Sequence, residues 1–509
     1  MKLKSIFISA LIVLVGSSCQ ESFFDINTNP NSLPTASPSY VFSNAVNVTS
    51  NNLLNYNEIG SYWSGQWTQG NGYIINTAQF AYNFTNGDFN YWDGIYDNLQ
   101  DYEYVIKNAD ANSQSYFKGP AKVMKAMVFQ HLVDMYGNVP FTDALKGTSS
   151  LAPKFDDQKA IYDSLISLLT EAIADMKANP FASAFNGSDL VFRGNLTKWA
   201  QFANSLKLRI LIRQSKVSGK DSYIKTELGK ILSEGSGFIT GEEVGIGGSF
   251  FYLATAGKLN PLYDRWGYDA NGAKRALNNY PRITEFLING LKAAGDTLRM
   301  KRIAYANGGE NGSVPGTSTQ KEISANYRGT PFGVSSGYLP ANTVPLGPSL
   351  LVKGEYNRPY VIMTAAEVQF SLAEAKTRYA DVALPKTAQE YFEEGIKQSF
   401  RVLGANTAGA EAYKGSGIVN YDWNASPNKL TAIAIQKWIA LNNFSGFEAW
   451  AEYRRTNLPV TPQSIQLVGE TKRPLRLFYP GTELGSNGAN VNAQGTIDVF
   501  TTRIFWDVD

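Results

Sequence analysis

Two stretches of this 509-residue chain gather aromatic rings and side-chain amides at spacings that could grip a ligand. The first, YWSGQWTQGNGYIINTAQFAYNFTNGDFNYW from Tyr62 to Trp92, sets Trp63, Trp67 and Tyr73 among Gln66, Gln69 and Asn71. The second, NPLYDRWGYDANG, brings together Tyr263, Arg265, Trp266, Tyr268 and Asn271. Flat rings withdraw a large apolar area from water at little entropic cost, and nearby amides add directional hydrogen bonds. A sugar ring has a face of C–H groups and a rim of hydroxyls, so this combination matches both of its surfaces. Trp63, Trp67 and Trp266 are the expected stacking platforms. The competing role for every one of these rings is to pack between its loop and the helices behind it.

Little else in the inventory supports chemistry. His131 is the sole histidine and Cys19 the sole cysteine, which excludes clustered Cys/His metal sites and Cys-nucleophile catalysis. His131 lies in FQHLVDMYG, within a segment that reads as a buried helix, and is expected to be a hydrogen-bonded core residue. Neither a Walker A motif nor a strand-linked G-x-G-x-x-G occurs, and no cofactor is expected. With 46 Lys and Arg against 44 Asp and Glu, the net charge of +2 offers no basic stripe for nucleic acid. A carboxylate pair for glycoside hydrolysis stays open, although nothing selects the pair. Charged residues make up only 18% of a chain that carries 28 Tyr, 28 Phe and 9 Trp. Its polar surface must therefore be built largely from Asn, Ser, Thr, Gly and Tyr, which suits neutral, hydroxyl-rich ligands.

At the N-terminus, Lys2 and Lys4 precede an apolar stretch from Ile6 to Val15, and Gly16-Ser17-Ser18 leads into Cys19. That stretch is too short to span a bilayer, which takes about 20 residues. Small residues between a signal helix and a lone cysteine predict cleavage before a lipid-bearing Cys19, held on a membrane by its acyl chains. An ordinary secretory peptide with an incidental cysteine is the alternative, since Gly16 stands where lipoprotein signals usually have Leu. The expected organisation is residues 1–18 as lipoprotein signal peptide, 19–38 as a lipidated tether rich in Asn, Pro and Ser, and 39–509 as one domain.

The elements that must position the aromatic clusters read mostly as α-helix. Apolar residues recur at three and four positions from Val41 to Leu53 and from Tyr91 through Leu99 to Ile106. Phe117 to Tyr136 is apolar over most of its circumference and ends at Gly137. Asp156 and Asp157 open a helix through Ile161, Leu165 and Met176 that Pro180 stops, and Asn195 caps another through Trp199 and Ile210. Further helix pairs follow, Met363 to Tyr379 with Thr387 to Leu403, and Leu430 to Asn442 with Ser445 to Arg455. Pairs that cannot each bury both faces stack on one another, which predicts an α-solenoid scaffold mainly over 39–232 and 360–456. Residues 235–350, rich in Gly, Asn, Pro and Thr, are expected to form a loop-rich ligand-binding part, and the chain beyond Thr456 reads as similarly irregular.

Four segments, in order along the chain, together resemble the SusD/RagB-like outer-membrane lipoproteins of Bacteroidetes. They are CQESFFDINTNPN from Cys19, KVMKAMVFQHLVDMYGNVPFTDAL, MTAAEVQFSLAEAKTRY from Met363, and FEAWAEYRRTNLPVTP followed by RLFYPGTELGSNGAN. The resemblance implies tetratricopeptide-like helix pairs on one side, variable loops on the other, and a lipid anchor at Cys19. It also implies a binding protein without catalysis, which captures an oligosaccharide, or in some relatives a peptide, as a lid over a SusC-like TonB-dependent transporter. The helical side would meet the transporter while the loops hold ligand. No ligand residue carries over from the family. Arg454 and Arg455 look structural, placed at a helix end where they complement its dipole and can cap carbonyls.

Overall fold

A computed structural model describes residues 36–309, 326–467 and 472–508. The signal peptide, Cys19 and nearly all of the tether lie outside the described residues, as do 310–325 of the loop-rich middle.

Helices α1 (Pro38–Trp63), α2 (Trp92–Asn108), α3 (Lys118–Tyr136), α4 (Gln158–Ala178), α5 (Leu196–Arg213) and α6 (Asp221–Glu234) each pack on the helix before them. Local signals set their ends. The Asp157 carboxylate accepts hydrogen bonds from the amides of Lys159 and Ala160, and the Asn195 side chain accepts one from Lys198. Gly137, at φ +77°, ends α3. Short α7 (Pro261–Trp266), α8 (Glu285–Ala293) and α9 (Thr297–Ile303) follow in the middle of the chain. The scaffold then resumes with α10 (Ala365–Arg378), α11 (Ala388–Leu403), α12 (Lys429–Leu441) and α13 (Gly446–Thr456). A reciprocal Thr387–Glu390 capping box starts α11.

The two helical sets join without a gap. α5 packs on α10, α10 on α11 and α12, α12 on α13, and α13 returns to α1. At that last contact Gly60 of α1 meets Gly446 at the start of α13. A Cβ on Gly446 would stand 2.2 Å from the Asn57 carbonyl oxygen, and one on Gly60 would stand 2.4 Å from the Gly446 oxygen. Only a pair of glycines lets these backbones approach so closely.

Four short strands make two antiparallel ribbons: β1 (Trp67–Gln69) pairs with β3 (Pro281–Ile283), and β2 (Val244–Ile246) pairs with β4 (Tyr360–Met363). In register, Trp67 opposes Ile283 and Val244 opposes Met363, with an irregularity between Val244 and Gly245. The ribbons sew the middle of the chain onto α1 and onto the start of α10.

The mostly helical reading holds, and so do the paired helices with their caps. Two readings need correction. The segment after Thr456 is not irregular throughout, because α14 (Gly481–Asn492) lies within it. Its residues, GTELGSNGANVN, are poor helix formers. Tertiary hydrogen bonds hold it instead, from Asn487 to the Pro153 carbonyl and from Thr482 to Asp93. The second correction concerns Arg454 and Arg455, which reach away from their own helix end. Arg454 donates to the carbonyls of Asp134 and Leu475, while Arg455 pairs with Glu374 and Glu452.

Candidate functional site

The three expected platforms are sealed in the interior. Trp63 is 0% exposed, its ring edge-on to Trp450 and in contact with Tyr82, Phe84 and Phe89, and its Nε1 donates to the Gln79 carbonyl. Trp67 is buried and donates to the Asn443 side chain. Trp266 is buried and stacks on Tyr280. Trp63, at the end of α1, is closed in by α13 and the loop rings of Tyr82, Phe84 and Phe89, whereas Trp67 on β1 and Trp266 at the end of α7 lie against α1, so none presents a free face to a ligand.

The other sequence candidates separate. Arg265 is committed to Glu58 and Asn55 at 2.5 and 2.9 Å. Tyr268 is buried with Leu259 and Tyr263 in a small apolar cluster. Asn271 is exposed in a turn, its amide donating to Asp269. Tyr73 is half-buried, edge-on to Tyr280, with its hydroxyl donating to the Ala276 carbonyl. The amides of the first cluster are also spent internally: Gln66 donates to the Trp438 carbonyl and Gln69 to those of Tyr73 and Ile74. Tyr263 alone among the eight candidates lines the main cavity.

That cavity is an open cleft of about 600 Å³, within the range of small-molecule sites. Its walls come from distant parts of the chain: the β2–β4 ribbon, the start of α7, the end of α9, the end of α11 and the turn between α12 and α13. Among the lining side chains Leu262, Tyr263, Tyr360 and Phe444 are apolar or aromatic, and Asn260, Arg302, Glu355 and Arg358 are polar. Phe250 stands on the rim, 38% exposed, with the Arg193 guanidinium 4.5 Å from its ring centre. A glycine turn lifts it there. Gly247 sits at φ +76°, where a Cβ would fall 2.5 Å from the Tyr252 ring, and the amides of Phe251 and Tyr252 bond back to the Gly248 carbonyl.

Most polar groups of the cleft are already engaged. Asn260 caps α7 through the amides of Leu262 and Tyr263 and donates to the Arg358 carbonyl. Glu242 pairs with Lys198, Glu243 with Arg401 and Glu355 with Arg358. Burial pushes the Glu243 carboxyl above the usual carboxylate range despite the opposing pull of Arg401. Arg302 donates from Nε to the Leu403 carbonyl at 2.8 Å. Burial first, and then the neighbouring Arg358 charge, holds its guanidinium below its ordinary pKa.

The sequence reading missed Phe250, Tyr360, Arg302 and Arg358. Phe250 had a signal: three consecutive aromatic residues inside the glycine-containing GGSFFYLATAG. The others had none, since their convergence depends on long-range packing. Among the described residues, no group of three or more His, Cys, Asp or Glu side chains converges as a metal site would require. No helix among them is long and apolar enough to cross a membrane.

Residues 30–480 match the SusD-like family model, described as starch-binding associating with outer membrane. Solved structures share the architecture. A chitin-binding SusD homologue from Flavobacterium johnsoniae superposes with a TM-score of 0.72 at 22% identity, over 92% of this chain and 97% of that one. SusD homologues from Bacteroides uniformis (0.73, 23% identity, 92% and 100% covered) and Bacteroides fragilis (0.74, 19%, 92% and 100%) superpose equally well. At such identities the likeness speaks for the fold. No curated protein matches the sequence.

Proposed function

Because this chain belongs to the SusD-like family, whose members are non-catalytic binding proteins, we propose that it captures oligosaccharides in the cleft behind Phe250 and delivers them to a SusC-like TonB-dependent transporter. The family is described as starch-binding and associated with the outer membrane, and the Flavobacterium homologue as chitin-binding. Both descriptions favour a glycan as the class of ligand. The observation that carries the reading is the cleft itself: an exposed ring beside an open volume whose walls mix apolar side chains with hydrogen-bonding groups. In this reading 39–509 act as one unit, and the binding part draws on helix ends of the scaffold as well as on the loop-rich middle.

Titration of the purified protein with neutral chito- and maltooligosaccharides, acidic oligogalacturonate and a peptide pool tests it. A glycan is expected to bind, and Phe250→Ala to weaken that binding about tenfold, ~1.4 kcal/mol, as loss of one stacking face should. Melting should stay unchanged, since the ring is largely outside the core. Peptide binding without glycan binding would turn the reading to an oligopeptide lid, and glycan binding indifferent to Phe250 would move the site elsewhere.

The anchor belongs to the same proposal. Cys19 bears the lipid that keeps the protein on the outer face of the cell. Cys19→Ser is expected to release the chain from the membrane fraction into the soluble one, and continued membrane retention would sink the assignment.

A further inference from the structure

We propose that the glycan accepted by this cleft carries a carboxylate, and that Arg302 is the residue that pairs with it. The inference rests on the cleft being the ligand site and adds the class of sugar.

Its basis is a charge count around the cavity. Three lining carboxylates each have their own cation: Glu242 meets Lys198 Nζ at 2.7 Å, Glu243 meets Arg401 Nη2 at 2.5 Å, and Glu355 meets Arg358. These pairs cancel. Arg302 forms no ion pair with any described carboxylate, and its partners are the carbonyl oxygens of Leu403 at 2.8 Å and Pro348 at 3.4 Å. The cleft wall therefore carries one uncompensated positive charge, partly withdrawn from water and beside a second guanidinium. An incoming anion relieves both penalties at once.

The guanidinium is also held in place. Its two carbonyl bonds tie it, from the end of α9, to the end of α11 at Leu403 and to the loop at Pro348, and it lies so close to Gly404 that a Cβ there would stand 2.8 Å from Nη2. A rigid planar fork favours a planar carboxylate, which it can meet through two parallel N–H···O bonds. Phe250, Leu262 and Tyr360 line the same cavity and offer apolar area to a ring's C–H face. A six-membered sugar bearing a carboxylate, a uronic acid, satisfies both kinds of lining, whereas a neutral sugar leaves the charge unanswered.

The experiment compares oligogalacturonate and oligoalginate, each beside its carboxyl-reduced neutral form, by titration against the whole protein. An acidic oligomer is expected to bind at least tenfold tighter than its neutral form, with the difference shrinking as salt rises. Arg302→Gln should erase that preference and Arg302→Lys should keep part of it, with the acidic oligomer losing far more affinity than the neutral one. A purely structural Arg302 would not produce that split, and melting curves check that both variants fold. Equal affinity for acidic and neutral oligomers, still lowered by Phe250→Ala, overturns this inference and leaves the glycan cleft standing. A preference that survives in Arg302→Gln overturns it too. Binding of neither form, or displacement only by peptides with a free C-terminus, overturns it together with the uronate class.

Discussion

Glu448→Ala is expected to lower the unfolding free energy by about 3–5 kcal/mol, the cost of leaving buried charge without its partner. Glu448 opens α13 and is fully enclosed. Its carboxylate accepts from Arg213 and from Gln130 at 3.3 Å, bonds His131 Nε2 at 3.2 Å, and forms an ion pair with Arg209 at 3.3 Å. The network extends outward from there. Arg213 also pairs with Asp134, which accepts from Trp506 and Tyr162, and Arg209 holds Glu367 through two bonds. Side chains from α3, α4, α5, α10 and α13 thus meet in one ionic lattice, and removing its central acid takes from Arg209 and Arg213 the carboxylate they share, leaving Arg209 to Glu367 and Arg213 to Asp134 in a dry interior. A shift in denaturant midpoint equivalent to under 1 kcal/mol would show that the lattice tolerates the loss.

The same lattice sets an acid limit. Burial pushes the Glu448 carboxyl up, but Arg209 and Arg213 outweigh it and hold the group well below the usual range. At Glu374 burial is likewise overcome, here by Arg455, and its pKa falls from 4.5 to about 2. Since the folded values lie below the unfolded one, this stabilisation is complete above about pH 4.5 and is lost as pH falls towards 2. Melting temperature should therefore fall over that window, less steeply in Glu448→Ala than in the native chain.

Trp63→Ala is expected to cost a further about 3–5 kcal/mol, the usual penalty for emptying a buried indole site. Its ring centre lies 5.1 Å from that of Trp450 and 5.6 Å from those of Phe84 and Phe89, so truncation opens a void between α1 and α13 that rigid neighbours cannot fill. Oligosaccharide affinity of the folded protein should not change. The opposite pattern, weakened binding with undiminished stability, would restore Trp63 to the ligand site.

The scaffold helices were readable because their causes are local. Apolar residues three and four apart, Asp157 and Asn195 as caps, and the Thr387–Glu390 box act within a turn or two of the chain. The buried character of α3 and of His131 was visible for the same reason, as an apolar circumference around one polar ring. Strands of three residues left no period to detect, and α14 forms against its own propensities through bonds to residues more than three hundred positions away.

The aromatic-rich stretches were also visible, but which rings keep a free face was not. Trp63 and Phe250 sit in similar Gly- and Ser-containing surroundings. One is covered by α13 and the other is raised by a turn at Gly247, and no neighbour in sequence distinguishes them. The same holds for Arg302, whose unpaired charge follows from where Glu242, Glu243 and Glu355 find their partners. Residue type and spacing specify helices, caps and the available chemistry, because those depend on atoms a few bonds apart. Burial and charge balance are properties of the volume around a side chain, and packing fills that volume with segments remote in sequence.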